Sequence, residues 1–348
     1  MKLLICTQKV DVSDSNLSFF HGWVEEFAKQ VEHVHVICLE EGVHRLPSNV
    51  TVHSLGKEDG ASRGGYIGRF IALIRNLRDQ YDTVFVHMNP EYVLLGGGFW
   101  RLWGKRVGLW YTHRSTHPYV RVASYIVHII FTASSESFRI PSKKVVVMGH
   151  GIDIEAFVPR TRPSSSQTFR LLSFGRISER KQLLPMITAV QELLVSGADL
   201  KLVIAGAPVT EEDIAYVKTL KETIASGPQP EAIDLCGPVL HEDIPKLLKN
   251  ADLFLNLSET GSLDKAVLEA MASGVPVLTS NEGLRSTLAK TVPECFMNDA
   301  SELPTRIQKF LDMPSEDRVL LGKRLRDMVL SEHSRSDLIR RIIIGLHS

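Results

Sequence analysis

The chain has 348 residues, more than one ordinary domain needs, and its 44% hydrophobic content lets each of two halves bury a core. Forty Lys and Arg balance 40 Asp and Glu, which argues against a nucleic-acid binder working by bulk charge. Cys6, Cys38, Cys236 and Cys295 lie far apart with no CxxC, which argues for a reducing cytoplasm, and no run reaches the ~18 uncharged apolar residues of a spanning helix.

"MKLLICTQKV" opens the chain as a strand rather than a signal peptide, because its apolar run stops at Lys9. Residues 17–31 then carry Leu17, Phe20, Trp23, Val24, Phe27 and Val31 at helical spacing, and "HVHVICL" is the next strand. "YIGRFIALIRNLRDQY" reads as a core-facing amphipathic helix. "TVFVHM", "RVGLWYT", "IIFTAS" and "KVVVMG" complete the strands of this half. The second half repeats the alternation: "RLLSFG", a helix over 182–195, "KLVIAG", a helix over 211–225, "IDLCG", "DIPKLLKNA", "LFLNLS", "DKAVLEAMAS" and "VPVLTS". "SRSDLIRRIIIGLH" closes the chain as a helix. Strands alternating with helices of ~10–15 residues predict an α/β protein with parallel sheets. The Pro/Ser-rich "VPRTRPSSSQT" (158–168) marks the joint. The reading is two Rossmann-like domains, 1–160 and 161–330, with 331–348 packing back on the first. Ligands are then expected beyond the carboxyl ends of the strands, in a central cleft that both sheets face.

The common nucleotide fingerprints are missing: neither GxGxxG nor GxxxxGK[ST] occurs. Two other clusters carry charge at strand ends. In "FGRISERK", Arg176 and Lys181 follow the strand that ends at Gly175, and a guanidinium fork with a point-charge ammonium suits a diphosphate. The competing reading is a solvated basic loop with Ser178 as N-cap. In "NLSETGSLDKAVLEAMASGVPVLTS", Gly261 and Ser262 make a turn, Asp264 is a plausible N-cap, and 265–273 is a short helix that Gly274 ends. Amides around Leu263, Asp264, Lys265 and Ala266 would form an anion site, for which the Asp264 carboxylate competes and Lys265 offsets its charge. Glu269, on the second turn, suits a ribose diol; taken alone, the reading as a solvated helix residue wins.

In order, "GHGIDIEAF" (149–157), "GRISERK", "LVIAGAP", "LCGPVLHEDIPKLLKNADLFLNLS" and "LEAMASGVPVLTS" resemble the donor-binding half of the retaining family-4 glycosyltransferases, which have the GT-B fold. The resemblance is strong over about 145–285 and weaker in the N-terminal half. It implies a hexosyltransferase-type reaction that needs neither metal nor cofactor. A sugar would pass from a nucleoside diphosphate, UDP by default and GDP as the alternative, to a carbohydrate, glycolipid or small-molecule hydroxyl, with retention. Arg176 and Lys181 would contact the diphosphate, Glu269 the ribose, and His113 of "LWYTHR" the donor sugar. The base would be read by backbone near Val239 in "CGPV", and the amides of Gly261 to Lys265 would face the phosphates. The chain departs from the family in one place. The glutamate expected eight residues before 269 falls on Gly261, with Glu259 and Asp264 as candidate replacements.

The first loop, "TQKVDVSDSNLSFFH", offers Lys9, Asp11, Asn16 and His21 to an acceptor; equally, it is a solvated loop in which Asp14 or Asn16 caps the helix. His113 and His117 are four apart, but without HExxH or a Cys pair they do not make a zinc site. "FWRLWGKRVGLWYTHR" reads as a packed helix feeding a strand, with Arg101, Lys105 and Arg106 in solvent, or as a peripheral contact with the inner face of the membrane. Two other functions stay open beside the transferase: a GT-B sugar-nucleotide epimerase, and a scaffold that binds nucleotide sugars without catalysis.

Overall fold

The computed structural model describes residues 1–14, 17–113, 115–159, 168–258 and 263–347. The chain divides into two units, residues 1–151 with 335–348, and 152–334.

In the first unit, the inner strands are short Val-, Ile- and Leu-rich runs buried on both faces, as parallel strands covered by helices must be, and the two edge strands are partly exposed. Its elements are β1 (Lys2–Val10), α1 (Ser18–Gln30), β2 (His33–Glu41), β3 (Val50–Ser54), α2 (Arg63–Asn76), β4 (Thr83–His87), α3 (Pro90–Leu102), β5 (Arg106–Trp110), α4 (Pro118–Ile126), β6 (Ile129–Thr132) and β7 (Val145–Val147). Helices begin where the sequence supplies a start: Ser62 caps α2 through its hydroxyl, and Pro90 and Pro118 open α3 and α4. The sheet order is β3-β2-β1-β4-β5-β6-β7, all parallel. The order reverses between β1 and β4, so the ends of these two strands flank the crevice where such sheets bind ligands. Several buried polar groups of this unit are paired: Trp100 Nε1 donates to Tyr81 Oη (3.0 Å), which donates to Ile74 O (3.1 Å), and Tyr92 Oη donates to Thr7 O (3.0 Å).

The second unit contains β8 (Phe169–Phe174), α5 (Leu183–Val195), β9 (Leu200–Ala205), α6 (Glu211–Ser226), β10 (Ile233–Gly237), α7 (Ile244–Lys249), β11 (Leu253–Asn256), α8 (Lys265–Ala272), β12 (Val277–Thr279), α9 (Glu282–Thr291), α10 (Leu303–Asp312) and α11 (Ser315–Glu332). Its parallel sheet runs β10-β9-β8-β11-β12, and the order reverses between β8 and β11.

The final helix, α12 (Arg335–His347), groups with the first unit. Leu338, Ile339, Ile342 and Leu346 are buried, and Arg341 Nη2 donates to Met148 O (2.7 Å). The chain leaves the first unit at 151, earlier than the Pro/Ser-rich stretch placed at 158–168. The reason is local: Ile152 N–H donates to His333 O (2.7 Å) and Ile152 bridges Ser334, which commits 152–159 to the second unit. The sequence reading assigns nothing to β3 or to α9, α10 and α11.

Candidate functional site

In the second unit the charged side chains gather where β8 and β11 end, on either side of the switch point. Arg176 follows β8. The loop there passes so close to β9 that a Cβ on Gly206 (φ +155°) would lie 1.8 Å from Gly175 O, so residue 206 must be glycine. Arg176 forks onto one oxygen of Asp213, with Nε and Nη2 2.9 and 2.7 Å from Oδ2. Asp213 is itself fixed. It caps α6 in a box with Thr210 and accepts the Val209 and Thr210 amides at 3.1 Å each. Burial opposes its ionisation, but Arg176 and these amides outweigh burial and hold the carboxyl down at about 2.

Lys181 stands in a single turn, Glu179–Lys181, before α5; Ser178 makes no side-chain cap there, contrary to the competing reading. The lysine Nζ lies 2.5 Å from Asp264 Oδ2. The same oxygen accepts Asn256 Nδ2 (3.0 Å), and Oδ1 accepts the Ala266 amide (3.2 Å), so Asp264 is the N-cap of α8. Burial raises its pKa, yet Lys181, Asn256 and the amide bring it below the ordinary value. Gly274, at φ +66°, ends the helix by donating its N–H to Met271 O (2.9 Å).

Glu269 is 3% exposed, not a solvated helix residue. Lys265 Nζ (3.1 Å) and His241 Nε2 (2.8 Å) both reach its Oε1. Burial disfavours the charged form, but Lys265 first and then His241 keep the pKa below the ordinary carboxylate value. Phe157 meets His241 edge-on at 5.7 Å. Val239 sits half-buried in the loop after β10, and Leu263 is buried just before α8. Behind the site α11 fixes α8: Arg326 donates to the carbonyls of Ala272, Phe157 and Ile154, and a Cβ on Gly322 would lie 2.0 Å from Gly274 O. Asp213 and His241 are the functional side chains that sequence reasoning missed. The Thr210-x-x-Asp213 spacing was a visible signal, but it announces a helix cap rather than an arginine partner. No pattern in the sequence marks His241.

Of the acceptor-side candidates of the first unit, the described ones, Lys9, Asp11 and His21, are tied down. Lys9 Nζ is caged by Glu40 Oε1 (2.8 Å), Asp14 Oδ2 (3.1 Å) and Asp11 Oδ2 (3.3 Å), chiefly Glu40 raising its pKa. Asp11 also accepts the Ser13 amide (2.9 Å) and hydroxyl (2.6 Å). Asp14 Oδ1 accepts the Leu17 amide (2.8 Å) at the start of α1. His21 is a correction: it lies on the buried face of α1, where Nε2 accepts the Arg45 amide (3.1 Å) and burial lowers its pKa. His113 is another. β5 stops at Trp110, which leaves His113 exposed in the following loop, its ring 6.1 Å from Tyr111. The histidine that does close a strand beside the switch point is His87, at the end of β4. Its Nδ1 is hydrogen-bonded to Thr7 Oγ1 (3.2 Å), Phe20 stacks on it at 4.0 Å, and burial pushes its pKa down to about 3. Lys105, expected in solvent, instead donates to Tyr81 O (2.5 Å).

Asn16, Glu259, Gly261 and Ser262 lie outside the described residues. Among the described residues no group of three His, Cys, Asp or Glu is arranged to hold a metal ion, and no helix is long and apolar enough to cross a membrane.

Two family models match the chain: "Glycosyl transferases group 1" over residues 158–328 and "Glycosyl transferase 4-like" over 12–134. The amylovoran biosynthesis glycosyltransferase AmsK of Erwinia amylovora is 33% identical over 146 residues, covering 40% of this chain and 34% of its own. The lipopolysaccharide core biosynthesis mannosyltransferase LpsB of Rhizobium meliloti (strain 1021) is 27% identical over 168 residues, 46% of this chain and 47% of its own. The chain spans about half the length of the curated relatives it matches. Among solved structures, Anabaena HepE in complex with UDP superposes with a TM-score of 0.80 at 16% identity over 100% of both chains. WaaG, a glycosyltransferase involved in lipopolysaccharide biosynthesis, gives 0.64 at 15% identity over 98% of each. At such identity the structural likeness speaks for the fold.

Proposed function

Since the chain belongs to the group 1 glycosyl transferases and has the GT-B fold, we propose that it transfers a hexosyl group, with retention, from a UDP-sugar to a hydroxyl of a saccharide, lipid-linked or small-molecule acceptor. The observation that carries this reading is the placing of Arg176 and Lys181 just after β8, with Lys181 paired across the switch point to Asp264, the N-cap of α8 after β11. UDP in particular is supported by the HepE complexes with UDP and with UDP-glucose.

Glu269 suits the ribose. Both of its partners sit on Oε1, which leaves Oε2 outside that pair for a diol hydroxyl. The Val239 backbone is assigned to the base. In the transfer step the anomeric carbon loses its bond to the diphosphate oxygen and gains one to the acceptor oxygen. The acceptor proton leaves with the nucleoside diphosphate. Negative charge grows on the departing oxygen, and fixed cations count most where charge develops. Arg176 and Lys181 take that role, and no metal is invoked. In the first unit, His87 at the end of β4 joins His113 as a second histidine candidate, held neutral by burial and hydrogen-bonded to Thr7 Oγ1. The reading includes a reducing, cytoplasmic setting, supported by four thiols that form no disulfide.

Calorimetric or thermal-shift titration with UDP, GDP and ADP tests the site, with EDTA present. A ligand at 100 times its Kd adds about 2.7 kcal/mol of apparent stability. The expected result is a UDP shift that survives EDTA and disappears in Arg176→Ala. A UDP shift unchanged in that variant would refute the assigned site, and dependence on a divalent ion would refute the metal-free reading.

A further inference from the structure

Among the described residues, three cations gathered at the donor site are each matched by a carboxylate: Arg176 by Asp213, Lys181 by Asp264 and Lys265 by Glu269. A nucleoside diphosphate is strongly anionic and competes with these carboxylates for the same cations. The three carboxylates are not equivalent. Asp213 also holds the Val209 and Thr210 amides and Thr210's cap, so it stays in place, and its fork uses Nε and Nη2 while leaving Nη1 outside. Glu269 takes both partners on one oxygen. Asp264 differs from both. Its carboxylate collects an ammonium, a carboxamide N–H and a helix-start amide (Lys181, Asn256 and Ala266), the same kinds of donor that a phosphate takes at a helix N-terminus.

We propose that Asp264 is a built-in counter-anion that the donor diphosphate displaces from Lys181, so that donor binding is an exchange of anions on one lysine. The inference rests on the reading of this site as a nucleotide-sugar site. Exchange has two consequences. The empty protein keeps Lys181 neutralised and in place, and the wild-type site binds UDP less tightly than its cations alone would allow. After transfer, Asp264 can reclaim Lys181 as UDP leaves, so the carboxylate that weakens binding also assists product release. Asn256 stays fixed during the exchange, because its Oδ1 accepts the Ser258 amide and the Thr279 hydroxyl, each at 3.3 Å.

The test is UDP binding by calorimetry in Asp264→Asn. Asparagine caps helices as well as aspartate does, so α8 keeps its start. The expected outcome is a Kd about tenfold lower, which corresponds to ~1.4 kcal/mol. Binding should also depend more steeply on salt, since Lys181 would then release a solution anion rather than a protein carboxylate. In a Lys181→Met background the Asp264→Asn substitution should change neither quantity. A Kd equal to or weaker than wild type would overturn the proposal, as would tightening that persists without Lys181. If the wild-type protein binds UDP only when Arg176 is present, yet Asp264→Asn fails to tighten it, the exchange fails and the donor site stands. If wild-type protein binds no nucleoside diphosphate, both fail.

Discussion

Acidification should destabilise the first unit well before its carboxylates protonate. His35 and His87 are buried and kept neutral, with pKa values pushed down to about 4 and about 3 from an ordinary 6.5 by loss of solvation. His35 Nδ1 is also 3.2 Å from His53 Nε2, so a proton added to both rings would set two cations against each other. The unfolded chain therefore binds more protons than the folded one between about pH 6.5 and the folded values, and stability falls as pH falls through that window. At pH 5, one and a half units below the ordinary value, each ring costs roughly 2 kcal/mol relative to pH 7.5, about 4 kcal/mol together. His21, His53 and His128 shift in the same direction and add to the loss. Against the ~5–15 kcal/mol typical of a whole domain, this is a large share. All four tryptophans (Trp23, Trp100, Trp103, Trp110) belong to this unit, so urea titrations followed by tryptophan fluorescence at pH 7.5, 6 and 5 report on it selectively. The double variant His35→Gln with His87→Gln should lose most of the pH slope. A stability that stays flat down to pH 5, or a slope that the double variant leaves intact, would refute the reasoning.

Substitutions in the second unit should separate packing from ligand contact. Gly322→Ala places a methyl group 2.0 Å from Gly274 O, so α11 and α8 must part; roughly 1–3 kcal/mol of stability should be lost along with part of the UDP affinity. Circular dichroism melts and UDP titration read both, and an unchanged melting curve would show that the contact yields freely. Glu269→Gln should cost roughly 2 kcal/mol, because Lys265 and His241 lose a buried partner while Lys265 keeps some access to water. It should weaken UDP but leave pyrophosphate binding unchanged, and equal weakening of both would argue against a ribose contact.

The fold was legible because its strands are short β-branched runs and its helices show apolar residues three and four apart, a contrast that survives in a single sequence. β3 escaped because it is a half-exposed edge strand whose "VTVHS" lacks a continuous apolar face. α10 did carry a readable signal in Leu303, Ile307 and Phe310, all buried, but its polar surroundings dilute it. At the site, Arg176, Lys181 and Glu269 were legible as residue types placed at strand ends and a helix start. What they touch was not. Asp213 is 37 residues from Arg176 and His241 is 28 from Glu269, and only the parallel crossovers bring them together. The same limit explains His113 and His87. Both follow apolar runs in the sequence, and only the register of β4 and β5 shows which of them closes a strand.

The return of α12 to the first unit has a consequence for synthesis on the ribosome. The second unit is one unbroken stretch, 152–334, and can finish folding as soon as it has emerged. The first unit cannot, because Leu346 fills the space beside Gly108 on β5 and Gly345 packs against Phe131 on β6. The part of the chain made first is thus completed last. Until its closing helix arrives, an apolar strip of β5 and β6 stays open to chaperones and to neighbouring nascent chains. A truncation that removes α12 would therefore injure the unit built from residues 1–151.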